Sequence, residues 1–500
     1  MALLIQQSHL AMTKQTPHIK TRFAPSPTGF LHIGGLRTAL FSYLFAKKHQ
    51  GSFLLRIEDT DRERLKDGAD QDILAALKWC GLNWDGEVHW QSQRRDHYQK
   101  YVKQLLDEGH AYPCFCSRER LLSLRSTGDH NQGYDRACRN LPQDKVASYI
   151  KEGKPYVVRL KMPLSGQVTV RDEVLGEIVY SYREFTDTIM MKSDGYPTYH
   201  LAHVVDDELL GITHVLRGQE WLSSYPIHHF LWQKTGFTPP QYIHLPLILS
   251  ESGGKLSKRK NQGVSVEDYK DLGYLPEALI NFLALLGWSY DDKRTFFSLE
   301  ELTECFSIQG IAKSNATFSL TKLNYLNQHY IGKLSQDSFQ SYAHPILQQA
   351  FPTRVTGQLG SSRVEQASLL YQSRLQYFKE LETYLSFFGS TDLAYAPSLF
   401  DGLPLSQQEV HNSLLILETL LAQTAPWEEE VLTHEVKQAT KAKGVKMFEL
   451  LMPLRLAVTG SQKSPSILAL VIYLGKESTL ARVKALMNHL ASSLSSDEAE

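Results

Sequence analysis

Two short runs of this chain carry the residue types that hold phosphate. Pro25-Ser26-Pro27-Thr28-Gly29-Phe30-Leu31-His32-Ile33-Gly34-Gly35 is a glycine-rich turn with a histidine at a strand-to-helix junction. Lys255-Leu256-Ser257-Lys258-Arg259 is a basic, hydroxyl-bearing loop behind the glycine pair Gly253-Gly254. The two lie about 220 residues apart. Gly29 and Gly34 lack a Cβ, so a nucleotide can lie against the backbone there. Gly34 and Gly35 open a helix, whose first amides and dipole attract anions. His32 adds a directional donor suited to charge developing on a reacting phosphate. Lys255, Ser257, Lys258 and Arg259 could close over a leaving pyrophosphate. Alone, each run has a plainer reading: a turn shaped by Pro and Gly, or a solvated charge run. Together they point to ATP chemistry held from two sides.

The elements that must position these runs follow from apolar periodicity. Ile19, Thr21 and Phe23 alternate with Lys20 and Arg22, which predicts a strand. Leu36, Leu40, Phe41, Leu44 and Phe45 recur at helical spacing, so a helix is expected from about Gly35 to Gly51. Phe53 to Ile57 reads as a second strand. This order opens a doubly wound α/β domain. Tyr98, Val102 and Leu105 mark a helix stopped at Gly109. Val157 to Lys161 and Val168 to Asp172 read as strands, with Ser165-Gly166 between them as a hairpin turn. Thr213 to Leu216 reads as a strand, Trp221 to Trp232 as a helix, and Tyr242 to Leu249 leads into the basic loop. After Asp271 the pattern is helical, with apolar runs at Leu414 to Leu421 and Leu468 to Leu474. Ser492 to Glu500 reads as a frayed acidic tail.

With 500 residues the chain is too long for one core, and roughly three domains are expected. Its 42% hydrophobic and 21% charged content are those of a globular protein. A net charge of -1 excludes a global basic field, so a polyanionic partner must meet local Lys and Arg clusters. Five cysteines argue against a disulfide scaffold and fit a reducing cytoplasm. No apolar run reaches the ~18 residues of a membrane span. Met1 to Ala11 lacks a signal-peptide pattern and reads as a disordered tail, or as a start called too early relative to Met12.

The two phosphate-binding runs, in their context, resemble the class I aminoacyl-tRNA synthetases, and within them the bacterial-type glutamyl-tRNA synthetases. His32-Ile33-Gly34-Gly35 is similar to the family's "HIGH" element, with Gly in the last place. Lys255-Leu256-Ser257-Lys258-Arg259 is similar to its "KMSKS" element. Arg22 to Gly29, Leu55-Arg56-Ile57-Glu58-Asp59-Thr60-Asp61, Pro197-Thr198-Tyr199-His200 and Val204-Val205-Asp206-Asp207 resemble the glutamyl/glutaminyl branch. Gly273 to Ala278, Leu286-Gly287-Trp288 and Met452 to Gly460 continue the match nearly to the end.

The resemblance implies glutamate, ATP with Mg2+, and a glutamate tRNA as ligands, in a cytoplasmic monomer. It implies His32, Gly34, Lys255, Ser257 and Lys258 at the chemical step, and Gly29, His32, Gly34, Glu220, Trp221 and Lys258 around ATP. Arg22, Tyr199 and Arg217 would hold the substrate carboxylates, the arginine fork matching a carboxylate as lysine cannot. Glu58 would face the ammonium, and Ala24 and Ser26 would line the pocket. His203 stands where many relatives carry Asn, which implies an altered contact to the α-carboxylate. Cys114, Cys116, Tyr134 and Cys138 stand where some relatives bind zinc; the alternative is small buried hydrophobes without metal. Arg374 falls where discriminating relatives read the third anticodon base. The expected divisions are a tail at 1–17, a Rossmann-like catalytic domain at 18–109 and 203–259, and an α+β acceptor-binding insertion at 110–202. A stem-contact domain at 260–338 and an all-α anticodon-binding region at 339–500 complete it. A catalytically silent tRNA-binding paralogue is disfavoured by the two intact signatures. A truncated enzyme that glutamylates a modified tRNA base is disfavoured by the long helical C-terminus. A glutaminyl-tRNA synthetase would carry β-barrels there instead.

Overall fold

The first strand, β1 (Lys20–Phe23), pairs in parallel with β2 (Ser52–Ile57), Lys20 opposite Ser52 and Phe23 opposite Leu55. Between them runs α1 (Ile33–Lys48), buried on most of its circumference through Leu36, Leu40, Phe41, Leu44 and Phe45. The return from α1 into β2 needs a glycine, because a Cβ on Gly51 would sit 2.2 Å from the carbonyl oxygen of Ile19. The computed structural model describes residues 18–126, 133–254, 265–291, 293–355, 359–390 and 393–497. Met1 to Ala11, Met12 and the whole run Lys255 to Arg259 lie outside the described residues.

The chain divides into two units: residues up to Asp268 with Leu279–Ser319, and Tyr269–Ala278 with the residues from Leu320 onward. In the first, α2 (Ala69–Trp79) leads to β3 (His89–Trp90), which extends the parallel sheet beside β2, and then to α3 (Arg95–Asp107). β4 (Ala111–Cys114), α4 (Arg118–Ser126), α5 (Gln143–Lys151) and β5 (Val157–Leu160) follow. After them come β6 (Gln167–Asp172), β7 (Gly176–Ser181), β8 (Ile189–Met191) and α6 (Tyr199–Leu209). β9 (His214–Gly218), α7 (Tyr225–Thr235), β10 (Gln241–Leu245) and β11 (Ile248–Leu249) complete the α/β order. Beyond them in the chain come α8 (Val266–Asp271) and α9 (Pro276–Ala284), each divided between the two units, and then α10 (Leu299–Cys305) and β12 (Ala316–Thr317) of the first. β9 and β10 are parallel and in register, and the Thr213 amide donates to the Lys20 carbonyl at 2.9 Å, which sets the start of β9 beside β1. Parallel strands, crossover helices and a change of direction between β1 and β9 make a doubly wound fold.

Three local expectations are corrected. Ser165-Gly166 is not a hairpin turn: β5 pairs with β4 and β8, whereas β6 pairs with β7 and β10. The cause is that the two strands serve different cores. Val158 and Leu160 pack with Tyr98, Met190 and Trp232, while Val168 and Val170 pack with Val215 and Tyr242. The chain therefore leaves one sheet for another, and β6 and β7, inside the expected insertion, join the sheet of β9 and β10. The helix expected from Trp221 begins only at Tyr225, after a 3-10 turn at Gln219–Ser224. Pro226, with no N–H to donate, fits the first turn of α7 and no later one. The tail expected from Ser492 is helical as far as Asp497.

The second unit is helical: α11 (Leu320–Lys333), α12 (Gln336–Ala350), α13 (Arg363–Ser368), α14 (Glu380–Tyr384), α15 (Gln407–Gln423), α16 (Glu429–Lys443), α17 (Met447–Thr459), α18 (Ile467–Leu474) and α19 (Lys476–Asp497). Ser362 with Glu365 and Ser406 with Glu409 form reciprocal caps that start α13 and α15. One continuous core runs through Phe339, Phe378, Leu417, Leu454, Leu470 and Leu486. Among the described residues no helix is long and apolar enough to cross a membrane.

Arg482 on α19 is buried and donates to three main-chain carbonyls: Val458 at 2.6 Å, Phe387 at 2.5 Å and Ser390 at 2.7 Å. Removing the guanidinium strands those acceptors. Arg482→Met should destabilise the helical unit by about 2–4 kcal/mol. Urea unfolding followed by helical circular dichroism reads this, and an unshifted transition would contradict it.

Candidate active site

The carboxyl ends of β1, β2 and β9 face a cavity of about 240 Å3, closed on another side by the first turn of α1. This is where ligands sit in doubly wound sheets, because the change in strand order opens a crevice there. Arg22, Ala24, Ser26, Gly29, His32, Gly34, Glu58, Tyr199, Arg217, Glu220 and Trp221 all line it. Residues spread over 200 positions of sequence thus reach one wall.

Its floor is ionic. Arg22 Nε lies 3.2 Å from Asp207 Oδ1, and Arg56 Nη1 lies 2.5 Å from the same oxygen. Arg56 Nη2 donates to Glu58 Oε1 at 3.0 Å. Asp206 accepts from Arg94 Nε at 2.6 Å, Gln91 at 2.8 Å and the Tyr98 hydroxyl at 2.8 Å. Three guanidiniums, Arg22, Arg56 and Arg94, thereby balance three carboxylates, Glu58, Asp206 and Asp207. Burial would lower Arg56, but Asp207, Asp206 and Glu58 together raise it well above the ordinary value. Burial raises Glu58, against the opposing pull of Arg56. Arg22 reaches the Leu216 carbonyl and His203 only at 3.5 Å, so its outer N–H groups keep capacity for a ligand.

Arg217 is more committed than its sequence context implies. Its Nε donates to His244 Nε2 at 2.9 Å, and Nη1 faces the Tyr199 hydroxyl at 3.2 Å and His228 Nδ1 at 3.1 Å. Nη2 donates to the Trp221 carbonyl at 3.3 Å. Of five N–H groups, one on Nη2 remains. Tyr199 accepts from Nη1, so its own proton can be donated. The cavity therefore presents one guanidinium N–H and one phenol O–H where a bare two-pronged fork was expected. Tyr199 packs against Trp221 with tilted rings, their centroids 4.3 Å apart.

At the phosphate-binding turn, His32 is the N-cap of α1, its Nδ1 accepting from the Gly35 amide at 3.0 Å. That bond makes Nε2 the protonated nitrogen of the neutral ring, and hence a donor. A Cβ on Gly34 would press on the imidazole at 3.0 Å, so glycine there keeps the histidine in place. Arg37, one turn further along α1, was not singled out from sequence. It is buried, lines the cavity, and donates to the carbonyls of Leu286, at 2.9 Å, and Pro246. Burial lowers it to about 10. A charged residue among the apolar positions of α1 is the signal the sequence offers for it.

His203 departs from expectation. It is fully buried, does not line the cavity, and lies stacked behind Tyr199 with ring centroids 5.4 Å apart. Its Nε2 meets the Tyr242 hydroxyl at 2.9 Å and its Nδ1 meets Asp207 at 3.1 Å. It therefore stands behind the cavity wall formed by Tyr199. Lys255, Ser257 and Lys258, expected at the phosphates, fall outside the described residues.

Away from the cavity, the Sγ atoms of Cys114, Cys116 and Cys138 lie within 4.8 Å of one another. Tetrahedral zinc with bonds of about 2.3 Å spaces its thiolates comparably. Burial alone would raise Cys114, but hydrogen bonds from Tyr134, the Cys116 amide and Arg159 lower it. Cys116 is pushed up to about 12 by burial and the neighbouring Cys114. A cation would relieve that crowding of thiols, and Tyr134, buried and bonded to Cys114, is the adjacent oxygen donor. The four residues fit a zinc ion. Cys80 is buried as expected of a core residue, whereas Cys305 is only half-buried. In the helical unit Arg374 lies in a turn, not on a helix; it is exposed, and its Nη1 donates to the Ser464 carbonyl at 3.0 Å.

Residues 18–325 match the family described as tRNA synthetases class I (E and Q), catalytic domain, and residues 338–487 match an anticodon binding domain. The chain is 39% identical to the glutamate–tRNA ligase of Clostridioides difficile, over 95% of this chain and 100% of that protein. It is 40% identical to that of Borreliella afzelii, over 94% of this chain and 99% of the other. A crystal structure of a glutamate tRNA ligase from Elizabethkingia meningosepticum in complex with its amino acid is similar, with a TM-score of 0.82 and 32% identity. That match covers 94% of this chain and 99% of the other. The glutamate–tRNA synthetase of Elizabethkingia anophelis has a TM-score of 0.83 at the same identity, over 94% of this chain and 100% of its own.

The buried histidines behind the cavity set a pH dependence. His203 and His228 are held well below the usual imidazole range by burial, and His200 falls to about 4 for the same reason. The unfolded chain takes up protons on these rings near pH 6.5, while the folded chain does not. Stability is thus fully present above that pH and is lost as pH falls. The melting temperature should drop between pH 7 and pH 5, and His200→Gln should flatten the drop. Differential scanning fluorimetry across that range checks it; an identical slope in the variant would count against the assignment.

Proposed function

The chain belongs to the class I tRNA synthetases of the glutamate and glutamine group, and on that footing we propose that it ligates L-glutamate to a glutamate tRNA through a glutamyl-adenylate. The observation that carries this is one cavity shared by a helix N-terminus with its capping histidine and by arginines set over a neutralised ionic floor. The first half suits a polyphosphate and the second an amino-acid zwitterion.

In the first step a glutamate carboxylate oxygen attacks the α-phosphate of ATP, and the bond to the β-phosphate breaks to release pyrophosphate. Mg2+ accompanies ATP. Gly29 and Gly34 let the nucleotide approach the backbone, and Glu220 and Trp221 border it. His32, with Nε2 as donor, meets the charge that grows on the phosphate. Lys255, Ser257 and Lys258 close over the leaving pyrophosphate. Arg22 takes the α-carboxylate with its outer N–H groups. Glu58 attracts the ammonium, whose charge would offset the effect of burial on that carboxyl. Ala24 and Ser26 bound the pocket. The side-chain carboxylate receives the remaining Arg217 N–H and the Tyr199 O–H. Two donors require an acceptor at both oxygens, so an amide, with its NH2 group, is rejected. In the second step the terminal ribose hydroxyl of the tRNA attacks the adenylate carbonyl and AMP leaves.

The tRNA acceptor end would lie on the 110–202 region, its stem on 260–338 and its anticodon on 339–500. Arg374, beside the half-buried Arg455, would contact the third anticodon base. Cys114, Cys116, Cys138 and Tyr134 would hold zinc, which would brace this corner of the insertion. The enzyme works as a cytoplasmic monomer.

Charging purified glutamate tRNA with labelled glutamate tests the reading; no glutamate-dependent product would end it. Arg217→Lys keeps the charge but loses the fork that meets four protein acceptors. It should lower kcat/KM for glutamate by about 100-fold or more. Near-normal kinetics would remove Arg217 from the carboxylate site. Zinc should be present at one per chain in protein prepared without chelator and be lost in Cys114→Ser, which has no spare ligand. Metal analysis showing none in the wild type would settle against the site.

A further inference from the structure

We propose that Asp172 and His244 are positioning residues for Arg217, forming a relay across three adjacent strands that sets which N–H groups the guanidinium presents to substrate. The inference rests on the reading of Arg217 given above and adds two residues that touch no ligand. His244 on β10 stands directly opposite Arg217 on β9, and Asp172, at the end of β6, stands opposite Tyr242 on β10. All three are buried, at 2%, 0% and 4% exposure for Asp172, His244 and Arg217.

The proton positions follow from counting donors. Asp172 Oδ1 accepts from the amides of Val174, at 3.0 Å, and Leu175, at 2.9 Å. Oδ2 faces the His244 amide at 3.0 Å and His244 Nδ1 at 2.7 Å. The guanidinium N–H of Arg217 can only donate, so Nε2 of His244 must accept and the neutral ring carries its proton on Nδ1, where it is given to Asp172. Nε2 is then a bare lone pair, and it accepts from Arg217 Nε at 2.9 Å. A proton on Nε2 would point at the Arg217 N–H and push the fork away. Burial and the charge of Arg217 lower the His244 pKa, in keeping with a neutral ring. With Nε pinned and Nη1 and Nη2 tied to Tyr199 and Trp221, the plane of the guanidinium is fixed, and its remaining N–H has one direction.

Asp172→Asn tests this, because an asparagine cannot serve four donors. Turned one way, its NH2 faces the amides of Val174 and Leu175. Turned the other way, it forces the His244 proton onto Nε2. His244→Leu removes the acceptor, whereas His244→Gln returns an oxygen near the Nε2 position. In glutamate-dependent ATP–pyrophosphate exchange, Asp172→Asn and His244→Leu should raise KM for glutamate about tenfold or more. KM for ATP should stay within about twofold, and His244→Gln should recover much of the loss. A buried cluster that serves stability alone would shift both constants together, and that outcome, or an unchanged glutamate KM in a folded variant, overturns the proposal. A second readout needs no substrate. The 15N spectrum of the wild-type imidazoles, with His244 assigned by its absence in His244→Gln, should show a neutral ring protonated on Nδ1. Protonation on Nε2 overturns the relay whatever the kinetics of the variants. An inert wild type in the exchange assay with the glutamate tRNA present would sink the proposed activity and leave the spectrum to decide the relay.

Discussion

Asp207 is the point on which the site turns. It is fully buried on α6, a helix in the middle of the chain, yet it binds Arg22 from β1 and Arg56 from β2. A lone buried carboxylate would be costly, and so would either arginine without it. Each charge is tolerable only because the others are in place. The adjacent Asp206 does the same for Arg94 and the Tyr98 hydroxyl, which secures α3. Two neighbouring aspartates thus join four segments distant in sequence, and their charge balance leaves outward N–H groups on Arg22 at the cavity. Replacement by apolar residues could keep the packing, but it would remove what orients the arginines.

Around that floor, one residue repeatedly serves both structure and chemistry. His32 caps α1 and, by doing so, settles which of its nitrogens is a donor. Tyr199 takes a hydrogen bond from Arg217 and is thereby freed to give one. In both cases a hydrogen bond internal to the protein determines the polarity of a side chain that lines the cavity. The rings of His203 and His228 pack against Tyr199 around its bond with Arg217, and the low dielectric of that buried cluster strengthens the bond.

Much of this was legible in the sequence, for reasons that differ by residue. The strands at Lys20–Phe23 and Ser52–Ile57, and the helix between them, follow from apolar spacing alone. The cavity residues were found because motifs keep them at fixed offsets from glycines and prolines. The residues behind the cavity were not. Asp172 ends a strand that already alternates with Gln167, Thr169 and Arg171, and His244 is one polar residue in a mostly apolar strand, so only the pairing of β6 with β10 and of β10 with β9 reveals that they meet. The same long-range pairing defeated the expected turn at Ser165-Gly166, which looks like a hairpin until the partners of each strand are known. His203 was placed against the substrate by its motif, yet helical phase turns it inward onto Asp207 and Tyr242.

The membership of β6 and β7 in the sheet of β9 and β10 bears on how this enzyme could be cut down. The segment from 110 to 202 looks like a detachable module inserted into an α/β core. A shortened core made by joining residue 109 to residue 203 would not only lose the surface proposed for the tRNA acceptor end. It would expose the edge of β10, take away the apolar partners of Val215 and Tyr242, and delete the carboxylate beneath His244. A minimal amino-acid-activating fragment must therefore keep the hairpin from Gln167 to Ser181, and the seam between module and core runs through the insertion, not along its borders.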